Sequence, residues 1–266
     1  SRNSRRTFAS LTSASWYLRD FFAMVCQLNA PPETYAVLTM DKLFTRSVAK
    51  GASIWGAKYN FSEVYHGLIP EERENFIVYL EEMAACSPDI VVFCGHYRDS
   101  VNFVFQMSQI TGFSPKAVVM TLGPTQKNFI TDLGEKAEYM TGISQWSPSA
   151  GFTCPVFGSS QAYADMFKQH YSHSPTYQNA QASAGCIIYQ LAIEKCSSLC
   201  AQAVLKNIRS LDTEIFFGKV VFDNRGMNIG HKMVVIQVQN KAPRLVWPEK
   251  MSLHRFVYPI SSVPGQ

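Results

Sequence analysis

The stretch "PDIVVFCGHYRDS", Pro88 to Ser100, decides the fold of this chain. Its central part, "DIVVFCG", is apolar at successive positions, which is typical of a strand covered by helices on both faces. The helical pattern "RDSVNFVFQMSQITGF" follows Gly95, and the β-rich run "KAVVMT" comes next. A strand, a helix and a second strand in this order predict a parallel pair joined by a crossover helix.

The same alternation extends through the first half of the chain. Short β-rich runs lie at "TYAVLTMD", "FSEVYHGLI" and "AEYMTGISQW", and patterns with helical spacing separate them. Pro70 followed by Glu71, Glu72 and Glu74 predicts a helix that begins at Pro70, because proline suits a first turn and acidic side chains suit the positive end of a helix dipole. The predicted fold class of this half is α/β, with a doubly wound parallel sheet.

The composition excludes several classes of protein. With 266 residues, 47% of them hydrophobic, and a net charge of +4, the chain is typical of a globular protein. The basic residues are scattered apart from Arg2, Arg5 and Arg6, so no nucleic-acid partner is expected. No apolar run reaches the length needed to cross a bilayer. No phosphate-loop motif is present and His170 and His173 lack further ligands, so neither a cofactor nor a metal is expected.

The seven cysteines leave the redox state open. Cys196 and Cys200, four residues apart at a junction of helical patterns, can form a local disulfide, pair elsewhere or stay free. Four others lie in or at the ends of apolar segments, where a small buried side chain is the common role. These four are Cys26, Cys86, Cys94 and Cys186.

The second half of the chain differs in character. The stretch "SPSAGFTCPVFGSS" is rich in Ser, Pro and Gly, which indicates a connection between lobes. Helical patterns follow at "QAYADMFKQHY", "QNAQASAGCIIYQLAIEKC" and "AQAVLKNIRSL", and two β-rich runs lie within "GKVVFDNRGMNIGHKMVVIQVQN". An α/β lobe, a helical section and a return to strands are therefore predicted.

This order of motifs resembles the type I periplasmic-binding-protein fold, which leucine/isoleucine/valine-type solute-binding proteins share with the ligand-binding domains of several receptor families. The segment "TYAVLTMDKLF" resembles the family's strand leading into an aspartate and a pocket aromatic. The block "IPEERENFIVYLEEMAACSPDIVVFCGHYRDSVNFVFQMSQITG" resembles its helix, Pro-Asp turn, buried strand, Gly-aromatic loop and second helix. The segments "LGEKAEYMTGISQW" and "FGKVVFDNRGMNIG" resemble the crossing between lobes and a late Gly, Phe-Asp and Gly turn.

The resemblance implies a division of the chain. Residues 9–147 and 231–250 are expected to form one complete lobe, the family's second. Residues 148–230 are expected to form part of the first lobe, mainly helical, and residues 251–266 a C-terminal tail. Several βα units of the family's first lobe have no counterpart here, so the chain is expected to be a fragment or to pair with a segment that supplies them.

One predicted helix carries more apolar surface than a single buried face needs. Ala182, Cys186, Tyr189 and Ile193 fall on one stripe of "QNAQASAGCIIYQLAIEKC". An exposed stripe of this kind is expected to be covered by self-association or by the missing segment.

Ligands of open α/β sheets bind outside the carboxyl ends of the strands. The candidate ligand-binding residues follow three such strands and are Asp41, Phe44, Gly95, His96, Tyr97, Thr121 and Leu122. By resemblance, Phe44 and Tyr97 stand near the family's pocket aromatics, although an aromatic residue at a strand end often packs only locally. Leu122 stands where amino-acid binders of the family place a carboxylate for the ligand's ammonium group. The resemblance therefore implies a small-molecule ligand that lacks this contact.

The expected function is non-enzymatic small-molecule recognition, either as the extracellular sensor part of a receptor or as the solute-binding protein of a transporter. The tail "WPEKMSLHRFVYPISSVPGQ" favours the sensor, with a membrane tether outside this chain. The expected location is extracellular or periplasmic. A Cys-dependent hydrolase using Cys94 and His96 is the third alternative. A buried strand-end cysteine is favoured over it, because Cys94 lacks the preceding glycine of a tight nucleophile turn.

Overall fold

A computed structural model describes residues 6–126, 128–196 and 198–260 and divides the chain into two compact units. Unit 1 comprises residues 1–13 and 145–233, and unit 2 comprises residues 14–144 and 234–266. Each unit is described by itself below.

The elements of unit 2 alternate along the chain as the sequence predicts. Its strands are β1 (Thr34–Met40), β2 (Ser62–Ile69), β3 (Ile90–Cys94), β4 (Ala117–Met120) and β5 (Thr141–Ser144), joined later by β10 (Val234–Gln239) and β11 (Ala242–Trp247). Its helices are α1 (Arg19–Val25), α2 (Leu43–Lys58), α3 (Ile77–Ala85), α4 (Tyr97–Met107) and α5 (Phe129–Leu133). Short 3₁₀ helices lie at Ala14–Trp16, Gly134–Ala137 and Glu249–Met251.

The seven strands form one sheet in the order β11-β10-β5-β4-β3-β1-β2. Strands β1 to β5 are parallel to their neighbours, whereas β10 and β11 pair antiparallel. Every residue of β3 is buried, and this confirms that the strand is covered on both faces. The predicted α/β class with a mainly parallel sheet is therefore confirmed.

The helix predicted to begin at Pro70 begins instead at Ile77. Side chains of α4 bind the intervening backbone: Asn102 Nδ2 and Gln106 Nε2 donate to the Glu74 carbonyl at 2.6 and 2.7 Å. The Phe76 N–H donates to Gln106 Oε1 at 2.7 Å. These tertiary hydrogen bonds use backbone groups that a longer helix would need for itself, so the helix starts two turns later than its local pattern suggests.

Residues 251–260, expected to belong to a tail, pack on unit 2. Gln237 in β10 binds both backbone groups of Val257, donating to its carbonyl at 3.0 Å and accepting from its N–H at 2.9 Å. The Ile260 N–H donates to the Lys116 carbonyl at 3.0 Å, and the Ile260 side chain is buried in the core. The folded part of unit 2 thus extends to the end of the described residues.

Unit 1 is mainly helical. Its elements are β6 (Thr153–Cys154), β7 (Gly158–Ser159), α6 (Ser160–Tyr171), α7 (Tyr177–Cys196), α8 (Ala201–Arg209), β8 (Asp212–Ile215) and β9 (Gly218–Val221). Phe216 stacks on Tyr163 with ring centroids 4.3 Å apart at the centre of its core. Helix α7 buries Ala184 and Ile188 but leaves Tyr189 56% exposed. None of the described helices combines the length and apolar character that crossing a bilayer requires.

Candidate functional site

The carboxyl ends of β1, β3 and β4 lie side by side at one edge of the unit 2 sheet. Thr39 in β1 pairs with Cys94 in β3, and Phe93 in β3 pairs with Met120 in β4. The loops that start at Asp41, Gly95 and Thr121 therefore leave the sheet next to one another. Parallel pairing brings together three segments that are distant in sequence, as ligand sites in open α/β sheets require.

Two of the predicted residues are in contact at this edge. The Phe44 ring meets the His96 ring edge-on, with centroids 6.0 Å apart, and meets Tyr17 in the same way at 5.3 Å. Phe44 is half-buried and His96 is exposed. The pair presents an aromatic surface beside an imidazole that can donate or accept a hydrogen bond.

Thr121 binds the backbone of the neighbouring loop. Its hydroxyl donates to the Gly95 carbonyl at 2.6 Å and accepts from the Gly95 N–H at 3.2 Å, and the side chain is fully buried. This hydroxyl is engaged with Gly95 rather than exposed at the edge. Thr121 therefore positions the turn that carries His96.

Gly95 is required at that turn by close packing. A Cβ atom there would lie 2.4 Å from Cε1 of Phe93 and 2.9 Å from the Asp99 Cβ. Contacts below 3.0 Å are not tolerated without movement of one partner. The turn after β3 thus depends on glycine for space and on Thr121 for hydrogen bonds.

The Tyr97 side chain lies in a surface groove between α4 and α5. Arg98, Val101, Asn102, Phe105, Asp132 and Leu133 line the same groove. The Tyr97 hydroxyl donates to Asp132 Oδ2 at 2.5 Å. Burial and the neighbouring Asp132 carboxylate raise the pKa of Tyr97 to about 12. Tyr97 is thus bound to α5 in this structure, while Phe44 and His96 contact each other.

The ionic groups at this edge are paired with one another. Asp41 forms an ion pair with Arg46, whose pKa is raised by that carboxylate. Lys42 Nζ lies 3.6 Å from Glu71 Oε1 and 3.9 Å from Asp99 Oδ2. Asp99 also accepts from the His96 N–H at 2.9 Å, which stabilises the start of α4.

The loop after β4 is held by Ser100. Its hydroxyl donates to the Leu122 carbonyl at 2.5 Å, and Leu122 itself is half-buried. Gly123 follows with φ +135°, a backbone conformation that favours glycine. Because this loop reads "TLGPTQ", it supplies no carboxylate.

Leu43, the residue between Lys42 and Phe44, lies at the same edge but is not among the residues predicted from the sequence. Leu43 is 88% exposed at the start of α2, beside the half-buried Phe44. The sequence signal for Leu43 was a large apolar residue that follows a strand and lies outside the buried face of the next helix. Lys42 is not among them either, because its two acidic partners follow other strands.

Burial of Cys94 opposes the hydrolase alternative. The thiol is fully buried, and desolvation raises its pKa far above the ordinary range. Nucleophilic cysteines need the thiolate, usually in an exposed or electropositive setting. Cys94 fills the core at the end of β3. Among the described residues, no group of three His, Cys, Asp or Glu side chains is placed to hold a metal ion.

Residues 2–243 match the family model described as periplasmic binding protein. The chain belongs to the periplasmic binding protein family. The predicted resemblance to the type I fold is confirmed.

Solved structures with the same fold include three proteins described as amino-acid-binding or amino-acid-transport proteins. A protein assigned as a branched-chain amino acid ABC transporter, from Silicibacter pomeroyi, is 16% identical with a TM-score of 0.83, over 96% of this chain and 69% of that one. The leucine-binding protein LivK of Thermotoga maritima is 17% identical with a TM-score of 0.73, over 88% and 65%. The substrate-binding protein LivJ of Streptococcus pneumoniae, solved with isoleucine, is 18% identical with a TM-score of 0.69, over 89% and 65%. The chain thus spans about two thirds of each.

Proposed function

We propose that this chain binds a small molecule, without catalysing its conversion, at the edge formed by the loops after β1, β3 and β4. The contact between Phe44 and His96 carries the proposal, because it sets an aromatic face and a hydrogen-bonding imidazole side by side. The exposed Leu43 extends the apolar surface. A ligand pocket typically combines such apolar lining with a few polar groups.

The ligand we propose has no ammonium group held by this unit. Asp41 is already paired with Arg46, and Asp99 and Glu71 lie near Lys42. Leu122 stands where a carboxylate would be needed, and removing one partner of a buried charge pair costs about 2–5 kcal/mol in binding. A neutral or weakly polar molecule with an apolar group fits these residues better than a free amino acid.

For the biological role we favour solute capture for a transporter, in the periplasm or outside the cell. Several structurally similar proteins are described as ABC transporter or transporter substrate-binding proteins, which supports this role. The tail had favoured a receptor sensor, but its residues 251–260 are packed on unit 2 instead of extending from it. The sensor stays as the alternative role.

The proposal also includes a partner that covers the exposed apolar face of α7. Ala182, Cys186 and Tyr189 form an exposed stripe on that helix, as the sequence pattern predicted. We propose that the stripe is covered by a second copy of the chain or by a separate segment. An exposed apolar surface favours either form of cover.

Ligand binding is tested by thermal-shift screening with amino acids, amides, sugars, nucleosides and aromatic acids, followed by calorimetry. Phe44→Ala and His96→Ala should each weaken binding of any hit by tenfold or more. Ile54→Ala is the matched control, because Ile54 is 54% exposed on α2, ten residues after Phe44, and its loss should leave affinity unchanged. Unchanged affinity in both edge variants, or turnover of the ligand, would contradict the proposal.

A further inference from the structure

The turn between α2 and β2 contains a sequence motif that the proposed ligand edge does not use. It reads Asn60-Phe61-Ser62, and Asn60 is the only asparagine in the sequence with serine or threonine two positions later. An asparagine in this triplet, with a residue other than proline at its centre, is the acceptor of N-linked glycans in secreted proteins. Such triplets also arise by chance, so the structure around Asn60 decides whether this one is usable.

The backbone holds the motif in a fixed turn. The Phe61 N–H donates to the Gly56 carbonyl at 2.9 Å, and the Ser62 N–H donates to the Glu33 carbonyl at 2.9 Å. Asn60 has φ +63°, a left-handed conformation that asparagine adopts more readily than most residues. Local conformation is therefore one reason for an asparagine at this position, whether or not it is modified.

The side chains of the motif alternate between the core and the surface. Phe61 is 7% exposed and packs against Phe22, with ring centroids 5.5 Å apart, whereas Asn60 and Ser62 are both exposed. Transfer of a glycan requires access to the amide of the asparagine and recognition of the hydroxyl two positions later. Both groups lie on the surface here, on either side of a buried anchor.

A surface groove beside Asn60 has room for the first sugars of a glycan. Its volume is about 440 Å³, and its walls include Pro31, Pro32 and Tyr59 together with Asn60 and Ser62. Pro31 is exposed and Tyr59 is half-buried. Sugar rings have apolar faces that pack on rings of this kind. A glycan on Asn60 would thus meet an apolar surface with free space above it.

We propose that Asn60 is the acceptor of an N-linked glycan when the chain passes through a eukaryotic secretory route. The inference rests on the location outside the cell proposed above. Asn60 Nδ2 attacks the anomeric carbon of an oligosaccharide carried on a polyprenyl diphosphate. A C–N bond forms, the C–O bond between sugar and diphosphate breaks, and one amide proton leaves with the polyprenyl diphosphate. The oligosaccharyltransferase of the cell catalyses the transfer and recognises Ser62.

The site lies far from the proposed ligand edge. Asn60 precedes β2, and Ser62 pairs with Thr34 at the start of β1. Met40, at the other end of β1, is about 20 Å from Thr34 at the rise of a parallel strand. A glycan on Asn60 should therefore leave ligand binding unchanged, and the two proposals fail independently: a negative thermal-shift screen contradicts the ligand site alone.

The test is secretion of the chain from cultured mammalian cells behind a cleavable signal sequence. The product is treated with peptide N-glycosidase F in ¹⁸O-labelled water, digested with trypsin and measured by mass spectrometry. Residues 59–73 form a tryptic peptide with a single asparagine. We expect the enzyme to increase the gel mobility of the chain and to convert the Asn60 amide to an ¹⁸O-labelled carboxyl group. Ser62→Ala should abolish the modification, and Ser62→Thr should retain it, because threonine keeps the hydroxyl.

A second acceptor in the same chain provides the control for the secretory route. Ala242→Thr completes a triplet at Asn240, which is exposed at the turn between β10 and β11. Glycans on both Asn60 and Asn240 in this variant would support the proposal. A glycan on Asn240 with Asn60 unmodified in the same molecules would overturn it, and so would a glycan that persists on Asn60 in Ser62→Ala.

Discussion

Gly95→Ala tests how the edge of the unit 2 sheet is built. The added Cβ would lie 2.4 Å from Cε1 and 2.8 Å from Cζ of Phe93. That ring cannot retreat freely, because it stacks on Phe103 with centroids 4.3 Å apart. Overpacking of this kind costs about 1–3 kcal/mol, and the reduced freedom of the unfolded chain returns about 0.4–1 kcal/mol. We expect the unfolding free energy to fall by about 1–2 kcal/mol on these terms.

The physical cause is separable by a double-mutant cycle with Phe93→Leu. Leucine lacks the ring atoms that the new Cβ meets, so Gly95→Ala should cost less in that background. The coupling should be about 1 kcal/mol, within the range measured for residues in contact. The assay is urea unfolding followed by tryptophan fluorescence, since Trp16, Trp55 and Trp247 all lie in unit 2. Strictly additive effects of the two substitutions would refute the packing argument.

Three further predictions concern other parts of the chain. Tyr189→Ser should reduce concentration-dependent association in sedimentation velocity. A wild-type chain that stays monomeric, with Cys186 inert to thiol reagents, would contradict this prediction, because the α7 stripe would then already be covered. Because the pKa of Tyr97 is raised to about 12, its neutral form stabilises the fold below pH 10, and that contribution is lost as the pH rises from 10 to 12. Tyr97→Phe should therefore flatten the loss of stability at alkaline pH. Asp132→Asn should shift the absorbance titration of the Tyr97 phenol to lower pH. Asp89 pairs with Lys116 at 2.7 Å and accepts from the backbone N–H groups of residues 33 and 34 at 2.7 and 3.2 Å. Burial alone would raise the pKa of Asp89, but Lys116 and the two backbone donors lower it, so its contribution to stability is present above pH 4 and is lost as acid protonates the carboxylate. Asp89→Ala should lower the unfolding free energy by about 1–3 kcal/mol at pH 7 and much less at pH 2, and equal losses at both pH values would contradict this assignment.

Local pattern was sufficient for the order of strands and helices in unit 2 and for its fold class. Successive apolar residues in "DIVVFCG" require cover on both faces wherever the strand is placed, and β3 is buried throughout. The same pattern places Asp41, Gly95 and Thr121 after strands, and parallel pairing then brings them to one edge. These features depend on residues adjacent in sequence, so a single sequence contains them.

What the side chains do at that edge was decided only by tertiary structure. Thr121 binds the backbone of Gly95, Tyr97 binds Asp132, and α3 begins at Ile77, because each has a partner that is distant in sequence. The sequence shows that a hydroxyl or a phenol follows a strand, but the direction of the side chain depends on which helix packs beside it. A hydrogen bond needs its donor and acceptor atoms to lie about 3 Å apart. Neither periodicity nor spacing along the chain specifies which atoms meet at that distance.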